Sequence, residues 1–269
     1  MTTLAEASAI LRGAWSAGGS TYGAWCSIPD SFAAEIMGSV GYDWACIDLQ
    51  HGLAGPDTVV PMMQALSVTG TPTFLRVPWN APEAIMRALD LGAVGVIVPM
   101  IESAAEASAA VRACRYAPAG SRSYGPTRAA LRSGESPTDQ VNGDIICAVM
   151  VETVTALDAL DEILSVPGVN VVFVGPADLR ISMGARDVAD PAFLGQLTRI
   201  ADRARAHGVV AGIFCPSDAL AVAWRGLGYQ MLAVASDVRL LRQAASESLR
   251  GARDQRQEVH DDQSRSGYL

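Results

Sequence analysis

Several titratable side chains in this sequence stand directly after short apolar runs. IDLQHG supplies Asp48, Gln50 and His51, FLRVPWN supplies Arg76, VMVET ends at Glu152, and VFVGPADL leads into Asp178. Glu152 and Asp178 are hard oxygen donors of the kind that hold Mg2+ or Mn2+, and two protein ligands leave coordination positions for water and substrate. Their plainer uses are a strand-end ion pair for Glu152 and a helix N-cap after Gly175–Pro176 for Asp178. His51 is a side chain of the type that serves as a general base, and Asp48, three residues earlier, is expected to hold its tautomer. The alternative is a buried His bonded to backbone. Arg76, in an otherwise apolar run, needs an anion if buried, either a structural carboxylate or a substrate, and the substrate is the expectation. Such a set suits enolate chemistry on a 2-oxo acid, with the negative enolate oxygen held by cation and guanidinium and a proton moved by His51.

Composition removes competing chemistries. The chain has 269 residues and 20 basic side chains, all of them Arg. Without Lys there is no Schiff-base aldolase, no pyridoxal-phosphate linkage and no P-loop. A net charge of −8 disfavours nucleic acid as a partner. The five Cys (Cys26, Cys46, Cys114, Cys147 and Cys215) form no C-x-x-C pair and read as buried free thiols in a reducing compartment. The N-terminus lacks a signal-peptide pattern, and the longest uncharged apolar run, 91–101, is too short to span a membrane. A cytoplasmic protein with no membrane partner is expected.

The elements that must position these groups are eight β-branched apolar runs, at 24–28, 44–49, 73–77, 95–99, 145–151, 170–174, 209–214 and 230–235. They alternate with helix candidates at 30–40, 56–69, 82–91, 103–116, 156–165, 191–207 and 218–227, most opening with Asp, Ser or Pro. Strands apolar on both faces and joined by helical crossovers imply a parallel sheet, and eight of them predict one α/β domain, a (β/α)8 TIM barrel over 1–250. An open doubly wound sheet is the alternative, but no G-x-G-x-x-G follows the first run. In a barrel, Asp48, His51, Arg76, Glu152 and Asp178 share the rim at the strands' carboxyl ends, and Glu152 and Asp178 come from neighbouring strands about 4.8 Å apart. His51 lies three strands from Glu152 and is the poorer cation ligand. Trp25 and Phe214, at other strand ends, border the same space or belong to the core. The long polar connection 118–142 is expected to be functional, and the polar tail 251–269 to be loose beyond a last helix at 237–249.

In order, GAW around Trp25, GYDWACIDLQHG, LRVPWN, LDLGAVGVIVPM, RYAPAGSRSYG, VET and VFVGPADLRISMG make the chain resemble the HpcH/HpaI aldolases over about residues 10–250. These are class II, metal-dependent pyruvate aldolases such as those acting on 4-hydroxy-2-oxoheptanedioate and 2-dehydro-3-deoxyglucarate. The resemblance implies a divalent cation cofactor (Mg2+, Mn2+ or Co2+) on Glu152 and Asp178, Arg76 at the pyruvate enolate, and His51 with Asp48 as the acid/base pair, working through a water. It also implies Asp90 supplied across a subunit interface, the backbone of Gly175, Pro176, Ala177 and Asp178 holding the substrate carboxylate, and Trp25, Tyr124 and Phe214 around the aldehyde. A homohexamer, a trimer of dimers with the C-terminal helix exchanged between subunits, is implied as well. Gln50 replaces a Glu frequent in relatives, Met150 replaces a Gln of some members, and Tyr124 and Phe214 are bulkier than the small aliphatic residues expected there. An altered acceptor pocket follows. The expected reaction is reversible cleavage of a 4-hydroxy-2-oxo acid to pyruvate, or a related 2-oxo acid, and an aldehyde. Two rivals use the same inventory: another lyase on the same enolate platform, decarboxylating an oxaloacetate-like acid or cleaving a citrate-lyase-type CoA thioester, and a non-catalytic barrel that binds a small acid.

Overall fold

The structure, a computed structural model, describes residues 2–133 and 136–265, with side chains described for 2–131 and 136–253. Helix α1 (Leu4–Ser16) precedes strand β1 (Thr21–Cys26), and regular alternation follows: α2 (Ser31–Ser39), β2 (Trp44–Asp48), α3 (Pro56–Val68), β3 (Thr73–Arg76), α4 (Pro82–Asp90), β4 (Gly95–Val98) and α5 (Ala104–Cys114). After α6 (Ala129–Ser133) and α7 (Thr138–Asp144) come β5 (Ile146–Val151), α8 (Val154–Asp158), α9 (Leu160–Leu164), β6 (Val171–Val174) and α10 (Pro176–Ser182). The chain ends with α11 (Pro191–Ala206), β7 (Val210–Phe214), α12 (Asp218–Gly226), β8 (Met231–Ser236) and α13 (Asp237–Arg265). All strands pair in parallel in chain order, and β8 closes on β1. This is the (β/α)8 barrel the apolar runs predict.

Two periodicities build it. Along each strand alternate residues face inward, so Trp25, Trp44, Cys46, Phe74, Ile97, Met150 and Phe173 fill the interior. Their neighbours, such as Ala45, Ile47, Leu75, Val96 and Val172, pack outward against helices. The helices start where short polar side chains accept orphan N–H groups: Asp30 from Ala33, Ser103 from Glu106, Thr153 from Ala156 and Ser217 from Leu220. Pro opens α3, α4, α10 and α11.

Departures from the sequence reading have identifiable causes. The α1 helix is an extra element whose Ala7, Leu11 and Trp15 join the interior cluster and plug the amino end of the barrel. Its capping box, Thr3 with Glu6, is legible as T-x-x-E. Strand β1 starts three residues early because Thr21 is anchored by Trp15 Nε1 and the Gln230 carbonyl. The single helix expected at 156–165 is split at Ala159 into α8 and α9. The connection 118–142 contains α6 and begins α7. The α13 helix continues past Leu249 as far as Arg265, through a segment rich in helix formers and free of Pro, where a loose tail was expected; residues 266–269 lie outside the described residues. Among the described residues no helix is long and apolar enough to cross a membrane.

Candidate active site

Inward-facing residues at the carboxyl ends of the strands form one cavity of about 310 Å3. It is bordered by Trp25, Asp48, His51, Arg76, Met150, Glu152, Phe173, Gly175, Pro176, Ala177, Asp178 and Phe214, together with Ser27, Pro216 and Ser236. The two-residue strand period explains the set: Asp48 continues Trp44 and Cys46, Arg76 follows Phe74, Glu152 follows Met150 and Gly175 follows Phe173.

Asp48 and Arg76 face each other in the β2–β3 register. Arg76 Nε donates to Asp48 Oδ1 at 2.8 Å and Nη2 to Oδ2 at 2.6 Å, a two-pronged pair with both residues buried. Trp25 Nε1 donates to Oδ2 at 3.2 Å, and the Trp25 ring lies 5.0 Å from the guanidinium carbon. The N–H groups of Gln50 and His51 donate to Oδ1, tightening the turn after β2. Burial raises the Asp48 pKa, but the Arg76 bonds and charge, Trp25 and the Gln50 N–H outweigh it and leave the carboxyl below its ordinary value. Burial likewise opposes the charge on Arg76, while Asp48 holds the guanidinium above its ordinary pKa.

Arg76 thus has a structural carboxylate, the alternative to a substrate partner, and among the described residues no direct hydrogen bond joins the Asp48 carboxylate to the His51 ring, both of its oxygens being engaged by Arg76. His51 is exposed at the cavity mouth, its backbone fixed by Asp48 and its ring free of hydrogen bonds among the described residues. Arg76 Nη1 also makes no hydrogen bond among the described residues, so one N–H edge is available to an anion in the cavity.

Glu152, at the end of β5, is buried. The Met100 N–H donates to its Oε2 at 3.0 Å, while Oε1 takes no hydrogen bond among the described residues. Burial raises the Glu152 pKa; the Met100 bond opposes this, the charge of Asp178 adds to it, and Arg76 opposes it. Met100 presents its N–H from φ 55, a left-handed conformation that costs a non-glycine residue of order 1–3 kcal/mol. Gly175 leaves room beside it, since a Cβ there would lie 2.2 Å from Glu152 Oε1 and the carboxylate would have to shift. Asp178, in the first turn of α10, is exposed at the same cavity. A buried carboxylate with a bare oxygen, a second anion nearby and space kept open by Gly175 fit a hard divalent cation. Among the described residues no group of three or more His, Cys, Asp or Glu could hold a metal, so a cation here would have two protein carboxylates and take its other ligands from water and substrate.

The remaining sequence candidates lie outside the cavity lining. Gln50 is half-buried beside Asp48, its Oε1 enclosed without a donor among the described residues. Asp90 ends α4, a helix running from the carboxyl end of β3 back to the amino end of β4, and therefore sits on the opposite face. There it accepts from Arg122 Nη2 at 2.7 Å. Tyr124 is exposed and packs near Tyr116, 5.4 Å between rings. Neither reaches the cavity of its own chain. Sequence reasoning missed Met100 and Phe173. The inward alternation of VVFVG gives Phe173, whose ring lies 5.8 Å from Trp25; no local sequence signal gives the Met100 bond.

A closed parallel barrel with acidic and guanidinium groups gathered at the strands' carboxyl ends falls in the class of (β/α)8 barrels that act from that rim. The chain belongs to the HpcH/HpaI aldolase/citrate lyase family, whose model matches residues 21–244. It is 35% identical over 246 residues to a hydroxypyruvate/pyruvate aldolase of Rhizorhabdus wittichii, covering 90% of this chain and 98% of that one. It is also 35% identical over 238 residues to a 4-hydroxy-2-oxo-heptane-1,7-dioate aldolase of Escherichia coli, covering 87% and 91%. A crystal structure of a family protein from Burkholderia cenocepacia J2315 superposes with a TM-score of 0.85 at 31% identity, covering 91% of this chain and 99% of that chain.

Proposed function

We propose that the protein is a carbon–carbon lyase, an aldolase that reversibly cleaves a 4-hydroxy-2-oxo acid into pyruvate, or a close 2-oxo analogue, and an aldehyde. The observation that carries this reading is the convergence of Glu152, Asp178 and the Asp48-locked Arg76 on one small cavity. A divalent cation (Mg2+, Mn2+ or Co2+) held by Glu152 and Asp178 would supply Lewis-acid charge to the oxygens of the 2-oxo acid. Arg76 aims its free Nη1 edge at the C2 oxygen and strengthens that bond as the C3–C4 electrons move onto it. The pair with Asp48 fixes the guanidinium before substrate arrives, so little reorganisation is needed during reaction. The Ala177 and Asp178 N–H groups open α10 without intrahelical acceptors and point to the substrate carboxylate. His51 takes the C4 hydroxyl proton as the bond opens, and a proton returned to C3 completes pyruvate. Trp25, Phe173 and Phe214 make an aromatic wall around the aldehyde portion, Trp25 and Phe214 meeting edge to face at 5.6 Å.

The same reading assigns Asp90 and Tyr124 to the cavity of a neighbouring subunit, since they face away from their own, and with them a homohexamer that exchanges α13. Five buried free cysteines among the described residues support a reducing, cytoplasmic setting. The test is pyruvate release from a panel of 4-hydroxy-2-oxo acids differing in chain length and terminal charge. Turnover of at least one member supports the assignment, and binding of pyruvate without turnover of any member refutes it.

A further inference from the structure

At the amino end of the barrel, opposite the candidate active site, two hollows adjoin. The larger, about 660 Å3, lies beside α1, β1 and the ends of α11 and α12, and Arg205, Arg225, Tyr22, Ser20 and Gln230 border it. The smaller, about 380 Å3, shares Trp15, Arg205 and Gln230 with it and adds Arg12 and Asn170. Among the described residues neither is bordered by an Asp or Glu, in a chain whose formal net charge is −8.

We propose that these joined hollows are a binding site for a small, multiply charged anion, an organic phosphate or a polycarboxylate, separate from the catalytic cavity. Arg225 Nη1 donates to the Tyr22 hydroxyl at 3.0 Å, a neutral partner that leaves its charge uncancelled. Among the described residues Arg12 donates to neutral acceptors alone, the Ser8 hydroxyl and the Gly143 and Ile145 carbonyls. Burial lowers the Arg12 pKa, and the like charge of Arg115 adds to that while Asp144 opposes it. Arg205 stands between the hollows. Its salt bridge to Asp202 is exposed on both sides and of the kind worth little, so its guanidinium is free to turn toward a ligand.

Arginine at a helix C-terminus ordinarily complements the helix dipole, and that use explains Arg205 and Arg225 in the last turns of α11 and α12. It does not explain Arg12, which lies inside α1, nor a shared lining without carboxylates. Planar guanidiniums accept phosphate or carboxylate oxygens in pairs, and the hollow volumes are of ligand-site size, about 300–1,000 Å3. Ser20, Asn170 and Gln230 add neutral hydrogen-bonding groups.

The test is calorimetry and thermal melting of the full chain with tripolyphosphate or tricarballylate, against sodium chloride at matched ionic strength. Arg205→Ser/Arg225→Ser removes two exposed side chains and leaves the Arg12 anchoring bonds in place. The expected result is saturable binding that the double variant weakens by at least about tenfold while its pyruvate release is unchanged. Arg76→Met is expected to retain the binding, which separates this site from the catalytic cavity. Preference for tripolyphosphate assigns the site to phosphoryl groups, and preference for tricarballylate to carboxylates. No stabilisation beyond that of sodium chloride, or binding undiminished in the double variant, overturns the proposal.

Discussion

Replacing Asp48 with Asn tests the architecture of the site in a single atom exchange. Arg76 is 8% exposed, and its only ion pair among the described residues is the two-pronged one with Asp48 at 2.6 and 2.8 Å. Asn keeps one oxygen, enough for either Trp25 on Oδ2 or the turn N–H groups on Oδ1, and it strands a buried positive charge. Breaking a buried pair from one side costs about 3–5 kcal/mol. At roughly 2 °C per kcal/mol for a chain of this size, the melting temperature should fall by about 6–10 °C. The double variant Asp48→Asn/Arg76→Met removes both charges and should recover most of that loss, giving a large coupling in a double-mutant cycle. Calorimetric melting of the four proteins measures it. Because the Asp48 pKa is lowered on folding, its contribution is complete above the ordinary carboxylate value and fades as pH falls through the lowered folded value. The gap between wild type and Asp48→Asn should therefore be flat near neutrality and close in acid. A loss under about 1 kcal/mol at pH 7, the range of solvent-screened surface pairs, would refute the argument that Asp48 locks Arg76.

Other perturbations follow from the same contacts. Arg76→Met should lower kcat by about 10²–10³, the effect of losing one preorganised oxyanion donor, and should also lower stability because Asp48 is left unpaired; steady-state kinetics on protein shown folded by circular dichroism separates the two. The Glu152 pKa is raised on folding, so its ionisation destabilises the metal-free fold as pH rises from the ordinary carboxylate value through the raised one. Metal-free Glu152→Gln should accordingly melt higher than wild type at pH 8 while losing turnover, and an unchanged or lower melting temperature would count against the buried-charge account. Mn2+ at 100 times its dissociation constant should stabilise the wild type by about 2.7 kcal/mol, and neither Glu152→Gln nor Gly175→Ala, whose Cβ would meet Oε1, should show that gain.

The fold was highly legible because each strand is a short β-branched run between helix-start residues, and the observed edges of β2, β4 and β7 lie within a residue of the expected ones. The α1 plug was missed because Ala- and Leu-rich sequence before the first strand belongs to no βα repeat, although Thr3 and Glu6 announced its start. For the site, the run-end rule placed Asp48, Arg76, Glu152 and Asp178 on one rim, since position along a strand is local information. Who pairs with whom is not local. The partnership of Asp48 with Arg76 rather than His51 depends on the β2–β3 register, and the Met100–Glu152 bond depends on a left-handed residue reaching across from β4 to β5. Asp90 and Tyr124 face away from the cavity because α4 and the loop before α6 lie toward the amino end, a placement fixed by helix direction.

The most direct measurement is the rate of pyruvate release from a 4-hydroxy-2-oxo acid by chelator-treated protein before and after Mn2+ is restored, with Glu152→Gln and Asp178→Asn run beside it. The account predicts negligible release without the ion, recovery in the wild type on its return, and no recovery in either variant. Full release by the metal-free wild type, or metal-restored release in both variants, would contradict it.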